Sequence, residues 1–178
     1  LELLLKVFKK IDNENVELNI CSSTIIYGKK FHDKYDIKFN KLFDDCKNTK
    51  NVNFLGYKDN SSIIEMLKEF HIFSYPSIWI ETSCISAIEA MAAGCEVVTT
   101  NLGALKETCE PFAKFVNFEK NLHNLELNYL SSLIDSINNF WSEDNQQKLQ
   151  IQREKINQIY SWEMRKVEWI DFLKKIKS

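Results

Sequence analysis

No stretch of this chain approaches the roughly 18 consecutive apolar residues that a helix needs to cross a bilayer. The amino end, LELLLKVFKK, does not place basic residues ahead of an apolar run as a signal peptide does. An excess of one charge is missing as well: 23 Lys and Arg stand against 25 Asp and Glu, a net charge of −2. No chain-wide field therefore attracts a polyanion, and nucleic-acid binding is not expected. The five cysteines, Cys21, Cys46, Cys84, Cys95 and Cys109, are an odd number at irregular gaps. That pattern fits reduced thiols in a cytoplasmic protein better than a disulfide framework. Neither they nor His32, His71 and His123 have a metal-ligand spacing, and no repeat, linker or low-complexity tract interrupts the 178 residues. With 44% hydrophobic content, the expectation is one soluble, cytoplasmic, metal-free domain over residues 1–178, large enough to bury a core.

The apolar residues Leu1, Leu4, Leu5, Phe8 and Ile11 recur at helical spacing, predicting an amphipathic helix from Leu1 to Ile11. A strand follows from Val16 to Cys21, then a second apolar piece from Thr24 to Tyr27 that ends at Gly28. A helix from about Ile37 to Cys46 precedes the strand Val52 to Leu55. Ser62 with Glu65 has capping-box spacing, which predicts a helix from Ile63 to Phe70. Strand His71 to Tyr75, helix Ile85 to Ala93, strand Glu96 to Thr99 and a weaker strand Phe115 to Asn117 complete the alternation. The rest reads as three helices, Leu127 to Trp141, Asp144 to Tyr160 and Trp162 to Ile176. Alternating strands and helices imply an α/β fold, a Rossmann-like parallel sheet covered on both faces and followed by a helical carboxyl-terminal segment. Ligands of such sheets sit beyond the carboxyl ends of the strands. Gly28, Gly56-Tyr57, Ser77 to Glu81 and Asn101 to Gly103 each follow a predicted strand. Taken singly, Gly28 or Gly56 reads equally well as ordinary loop punctuation.

The stretch YPSIWIETSCISAIEAMAAGCEVVTTNLGALKE, from Tyr75 to Glu107, is the most informative. A strand runs into the loop Pro76 to Ile80, Glu81 closes it, and a helix begins near Ile85 or Ser86. That helix carries Glu89 on its second turn and stops at Gly94, a residue suited to the left-handed position after a helix end. A helix start offers unpaired N–H groups and partial positive charge to a phosphate, and a nearby Glu can accept hydrogen bonds from a sugar diol. The arrangement suits a nucleotide sugar. For Glu81 the bland alternative is an acid paired with the helix dipole; for Glu89 it is a solvated charge on a helix face.

Pro76-Ser77, Glu81, seven intervening residues, Glu89-Ala90-Met91-Ala92-Ala93-Gly94, then Val97-Val98-Thr99-Thr100, Gly103 and Glu107 resemble the donor-binding half of retaining GT-B glycosyltransferases of the family 4 type. Val52-Asn53-Phe54-Leu55-Gly56 is similar to that family's V-x-F-L-G strand, and Ser161-Trp162-Glu163 to its late S-W-E. The resemblance implies that Glu81 reaches the transferred sugar and helps hold the charge that develops as the donor bond breaks. It implies that Glu89 takes the ribose hydroxyls. The backbone amides of Cys84, Ile85 and Ser86 would bind phosphate, with Gly28, Ser77 and Gly103 lining the donor site. Tyr57-Lys58 would wall the nucleobase, although that pair reads as readily as ordinary surface. Ser83 or Ser86 would add a hydroxyl donor or serve simply as the helix N-cap. The donor would be a UDP- or GDP-sugar, with no further cofactor.

Where the family has G-F-G-L this chain has Thr82-Ser83-Cys84-Ile85, so the side chains of Thr82 and Cys84 are expected to point away from the donor. Leu1 falls just after the place where the family keeps a diphosphate-binding Arg and Lys. Lys29 and Lys30 would substitute only in part, and the acceptor-binding half is expected to lie outside this chain. Cys84 as a nucleophile needs a base that no neighbouring residue supplies, so a small buried thiol is the simpler reading. Trp79 and Tyr75 suit either stacking on a ligand or packing in the core. The whole form would move a hexose-type sugar onto a glycan, lipid or small acceptor, with peripheral membrane association conceivable for the full enzyme. A degenerate interaction module, or another GT-B user of sugar nucleotides such as an epimerase or phosphorylase, are the alternatives. By the same resemblance residues 162–176 cross back to the acceptor half, and their many apolar side chains predict exposure and self-association in its absence.

Overall fold

A computed structural model describes residues 1–177; the side chains at 26, 35–38 and 177, and residue 178, lie outside that description. The chain runs α1 (Glu2–Phe8), β1 (Leu18–Cys21), a 3-10 turn (Ile25–Tyr27), α2 (Lys29–Lys47), β2 (Val52–Gly56), α3 (Asn60–Leu67) and β3 (Ile72–Tyr75). It continues through α4 (Ile85–Ala93), β4 (Glu96–Thr100), α5 (Leu105–Cys109), β5 (Lys114–Val116), α6 (Leu122–Asn139), α7 (Glu143–Ile159) and α8 (Trp162–Lys177). All strand pairs are parallel, as the alternation requires.

β4 shows why this is a two-faced sheet. Its five residues are all buried, and because successive side chains point to opposite faces, Val97 and Val98 enter different cores. Val97 packs with Leu67 of α3, Ala87, Ala90 and Met91 of α4, Leu105 of α5 and Ile156 of α7. Val98 packs with Val7 of α1, Val116 of β5, and Leu125, Tyr129 and Leu133 of α6. Helix α1 serves two clusters, since Leu5 and Phe8 join Ile20 of β1, Cys46 of α2 and Val52 of β2. Buried polar groups fasten the layers. The Tyr129 hydroxyl donates to the Val98 carbonyl at 2.6 Å and lies 3.0 Å from Ser74 Oγ. Glu96 accepts from Ser136 Oγ at 2.7 Å and Asn145 Nδ2 at 3.2 Å.

Several expectations need correction. The parallel sheet is in two pieces among the described residues: β1 pairs with β2, and β3, β4 and β5 form a three-stranded piece. In the apolar piece read from Thr24 to Tyr27, Ile25–Tyr27 form a 3-10 turn with Thr24 as its N-cap. Helix α2 starts at Lys29 rather than Ile37, whose side chain lies outside the described residues, so Lys29 and Lys30 belong to a helix and not a loop. The capping box at Ser62 is replaced by an Asp59 cap, whose Oδ1 accepts from the Ser62 amide at 2.9 Å. Asp59 sits in the extended conformation an N-cap needs, and Ser62 already lies within the first turn. Helix α6 begins at Leu122, five residues earlier than read, because Asn121 caps it by accepting from the amides of His123 and Asn124. The short helix α5 is an addition, too brief to show periodicity. Helix α8 has the expected span, and its Trp162, Val167, Trp169, Ile170, Phe172, Leu173 and Ile176 are all exposed.

Candidate functional site

The carboxyl ends of β3 and β4 and the start of α4 converge on Glu81. β3 hands the chain to a loop that is pinned from beneath by β4: Thr99 Oγ1 donates to the Tyr75 carbonyl at 2.8 Å, and Thr100 Oγ1 donates to the Ser77 carbonyl at 2.8 Å. Both threonines are fully buried, so each hydroxyl meets its hydrogen-bonding need by fixing this loop. Ser77 is buried as well. Its hydroxyl donates to the Trp79 carbonyl at 3.0 Å, which commits it to shaping the loop. Trp79 and Ile80 at the loop tip are nearly 80% exposed, which answers the choice left open for Trp79: it is not core.

Glu81 is half-buried and held at both ends. Its backbone forms an isolated parallel bridge with Gly103, and its carbonyl accepts from the Ala104 amide at 2.8 Å. Gly103 has φ +63°, and a Cβ there would lie 2.5 Å from the Glu81 oxygen and 2.6 Å from its nitrogen, so only glycine permits this approach. At the other end the Tyr75 hydroxyl donates to Glu81 Oε1 at 2.5 Å. Burial first, and the neighbouring Glu81 carboxylate second, push the Tyr75 phenol well above its ordinary titration range. The phenol therefore stays protonated and remains a donor.

Cys84, not Ser83 or Ser86, is the N-cap residue of α4, and it makes no side-chain cap hydrogen bond. Its side chain is buried, whereas Thr82, Ser83, Ile85 and Ser86 are exposed. The amides of Ala87 and Ile88 both turn to the Cys84 carbonyl. No side-chain oxygen caps this turn, and the Ser86 and Ala87 amides face the Cys84 sulfur; a helix start without an oxygen cap is the setting that takes an anion. Burial raises the Cys84 thiol, and the Ala87 amide pulls the other way. His71 lies edge-on against Phe140 and Trp141 at 5.0 and 5.2 Å, so it is engaged elsewhere and the inert-thiol reading holds. Helix α4 ends in a Schellman arrangement. Gly94 has φ 103°, and the Cys95 amide bonds to the Ala90 carbonyl at 2.9 Å. Gln152 and Asn157 of α7 then donate to the Met91, Cys95 and Ala92 carbonyls.

Glu89 is half-buried on the second turn of α4, and its Oε1 accepts from Asn60 Nδ2 at 2.9 Å. Asn60 opens α3, so the β2–α3 connection that carries Tyr57 and Lys58 is tied to the same helix. Both of those residues are exposed, as is Gly28, where a Cβ would meet nothing within 4 Å. Sequence reasoning missed Tyr75 as a partner of Glu81, the two threonines under the loop, and Asn60. The Thr-Thr pair following the Val-Val strand was the one available signal. Two open hollows lie elsewhere around Ile11, Asp12 and Asn13, one closed by residues 49–51 and the other by Ile134, Ile137 and Asn138. They lie at the connections into β1 and β2, away from Glu81 and Glu89.

A glycosyltransferase from Rickettsia africae ESF-5 superposes with a TM-score of 0.73 at 19% identity, covering 99% of this chain and 44% of that one. A variant of S. aureus TarM, solved with fondaparinux, alpha-GlcNAc-glycerol and UDP, gives 0.60 at 21% identity, covering 96% of this chain and 32% of that one. This chain thus spans less than half the length of either. No curated protein matches it. The family model described as glycosyl transferases group 1 matches residues 1–153, and the chain belongs to that family.

Proposed function

We propose that this chain is the donor-binding half of a retaining glycosyltransferase that needs no metal and uses a UDP- or GDP-sugar. The observation that carries the reading is the pair of half-buried carboxylates on either side of the α4 start, with Glu81 clamped by Gly103 and Tyr75 and Glu89 one turn into the helix. The first-turn amides of α4 meet the diphosphate. Glu89 accepts from the ribose hydroxyls, with Asn60 holding one of its oxygens and leaving the other available. Glu81 contacts the transferred sugar, and its charge opposes the positive charge that grows as the sugar–phosphate bond lengthens, an interaction stronger in the transition state than in the ground state. Tyr57 and Lys58 border the base. The acceptor site belongs to a second half of the polypeptide, against which the exposed apolar side chains of α8 pack.

The roles separate kinetically. In a transferase that carries this chain, Glu89→Ala raises the donor KM by about 10- to 100-fold, since hydrogen bonds to charged groups are worth about 1.5–3 kcal/mol. Glu81→Ala lowers kcat instead. Small, equal effects of both substitutions on both constants would remove the division of labour, as would a UDP or GDP complex with Glu89 far from the ribose.

A further inference from the structure

We propose that Tyr75 is a positioning residue for Glu81, its phenol selecting and holding the one carboxylate orientation from which transfer occurs. The inference rests on Glu81 being the transfer carboxylate and adds what fixes it.

A clamped backbone does not by itself orient a glutamate. The bridge to Gly103 and the Ala104 amide fix the Glu81 main chain, but three side-chain torsions remain beyond the Cα. Freezing such a chain at the moment of reaction opposes catalysis, whereas freezing it beforehand gives a preorganised group. Tyr75 supplies that constraint across the loop. Its hydroxyl donates to Oε1 and leaves Oε2 for a substrate. The phenol can do so because it is itself immobile. Tyr75 ends β3 in register with Thr99, its carbonyl takes the buried Thr99 hydroxyl, and its ring stacks on Phe73 at 6.0 Å with an interplanar angle of 22°.

The choice of partner also matters. A lysine or arginine would hold the carboxylate equally well but would neutralise the charge Glu81 needs. A phenol that burial keeps protonated donates one hydrogen bond and leaves the full negative charge in place. Tyr75 lies six residues before Glu81, and neither periodicity nor motif spacing joins them; only the path of the loop does.

Two measurements test this. In a transferase carrying this chain, Tyr75→Phe lowers kcat by about 10- to 100-fold while donor KM stays within about twofold. The double variant Tyr75→Phe/Glu81→Ala is no slower than Glu81→Ala alone, because the phenol acts only through the carboxylate. In the 178-residue chain, NMR of tyrosines labelled at the ring carbons reads the Tyr75 hydroxyl contact at neutral pH, and the Tyr75 Cζ resonance moves in Glu81→Ala. The two ideas fail differently. Full turnover in Glu81→Ala overturns the role of Glu81 and the positioning role with it. A dead Glu81→Ala beside an unimpaired Tyr75→Phe overturns positioning alone, as do multiplicative losses in the double variant. If Tyr75→Phe proves unfolded by circular dichroism, the Glu81→Ala spectrum decides: an unmoved Tyr75 signal overturns the contact.

Discussion

Replacing Gly103 by alanine tests the structural basis of the site. Two glycines provide an internal control, since Gly103 and Gly56 have almost the same backbone, φ +63° and +64°, but different surroundings. At Gly56 a Cβ meets nothing within 4 Å. At Gly103 it would overlap the Glu81 oxygen and nitrogen at 2.5 and 2.6 Å, with Ile80 Cγ2 at 3.1 Å. Both substitutions carry the penalty of an L residue in the left-handed region, about 1–2 kcal/mol. Only Gly103→Ala carries the overlap as well. The two closest atoms are backbone, so no rotamer relieves it and the Glu81 segment must move. Moving it disrupts the Ala104–Glu81 hydrogen bond that closes the isolated bridge, roughly 0.5–1.5 kcal/mol. Gly56→Ala should therefore lose about 1–2 kcal/mol and Gly103→Ala about 1.5–3.5. For a domain of this size that corresponds to a Tm drop of roughly 2–8 °C against 3–14 °C. Urea unfolding followed by circular dichroism gives the free energies, with an unchanged m-value confirming that the native states are compared. Equal losses for the two variants would mean that the close approach at Glu81 is not a constraint of the fold.

Four further outcomes are expected. Tyr129→Phe removes hydrogen bonds to Val98 and Ser74 and should cost about 1–3 kcal/mol at neutral pH. Burial raises this phenol above its unfolded value, so its contribution is complete below pH ~10 and is lost as pH rises further; an alkaline stability profile unchanged by Tyr129→Phe would contradict that. Asp59 is held below the usual carboxylate range by the Ser61 hydroxyl first and the Ser62 amide next. Its contribution is present above pH ~4 and drains as pH falls below that, so Asp59→Asn should flatten the acid limb of stability, and an identical limb refutes the cap. Cys21 is exposed and the other four cysteines are buried, so an aromatic disulfide reagent should label one thiol quickly and the rest only on unfolding, as peptide mass mapping would show. Trp79, Trp141, Trp162 and Trp169 are all exposed, so dilute protein should emit like solvated indole. Self-association through α8 should shift that emission to the blue as concentration rises; a sedimentation experiment finding monomer throughout would exclude it.

Local chemistry alone determined the parts of this protein in which neighbours along the chain settle the conformation. Helix α4 is one: Gly94 ends it because a left-handed residue was needed there, and its bounds, Ile85 to Ala93, are those read from sequence. β4 is another: the strand read from Glu96 to Thr99 is present, one residue longer, from Glu96 to Thr100. The spacing of Glu81 and Glu89 about a helix start was equally visible, since it depends only on loop length and helical rise. What sequence could not decide was non-local. Asp59 in place of Ser62 as the cap of α3 turned on which residue stays extended. The division of the strands into two sheet pieces depends on pairing between segments tens of residues apart. Burial of Thr99 and Thr100 beneath the loop, the fit of Gly103 against Glu81, and the Tyr75 contact arise only when β3, β4 and the loops beyond them are brought together. The residues proposed for the site were legible one by one; the forces that hold Glu81 still act across space, between groups that no periodicity connects.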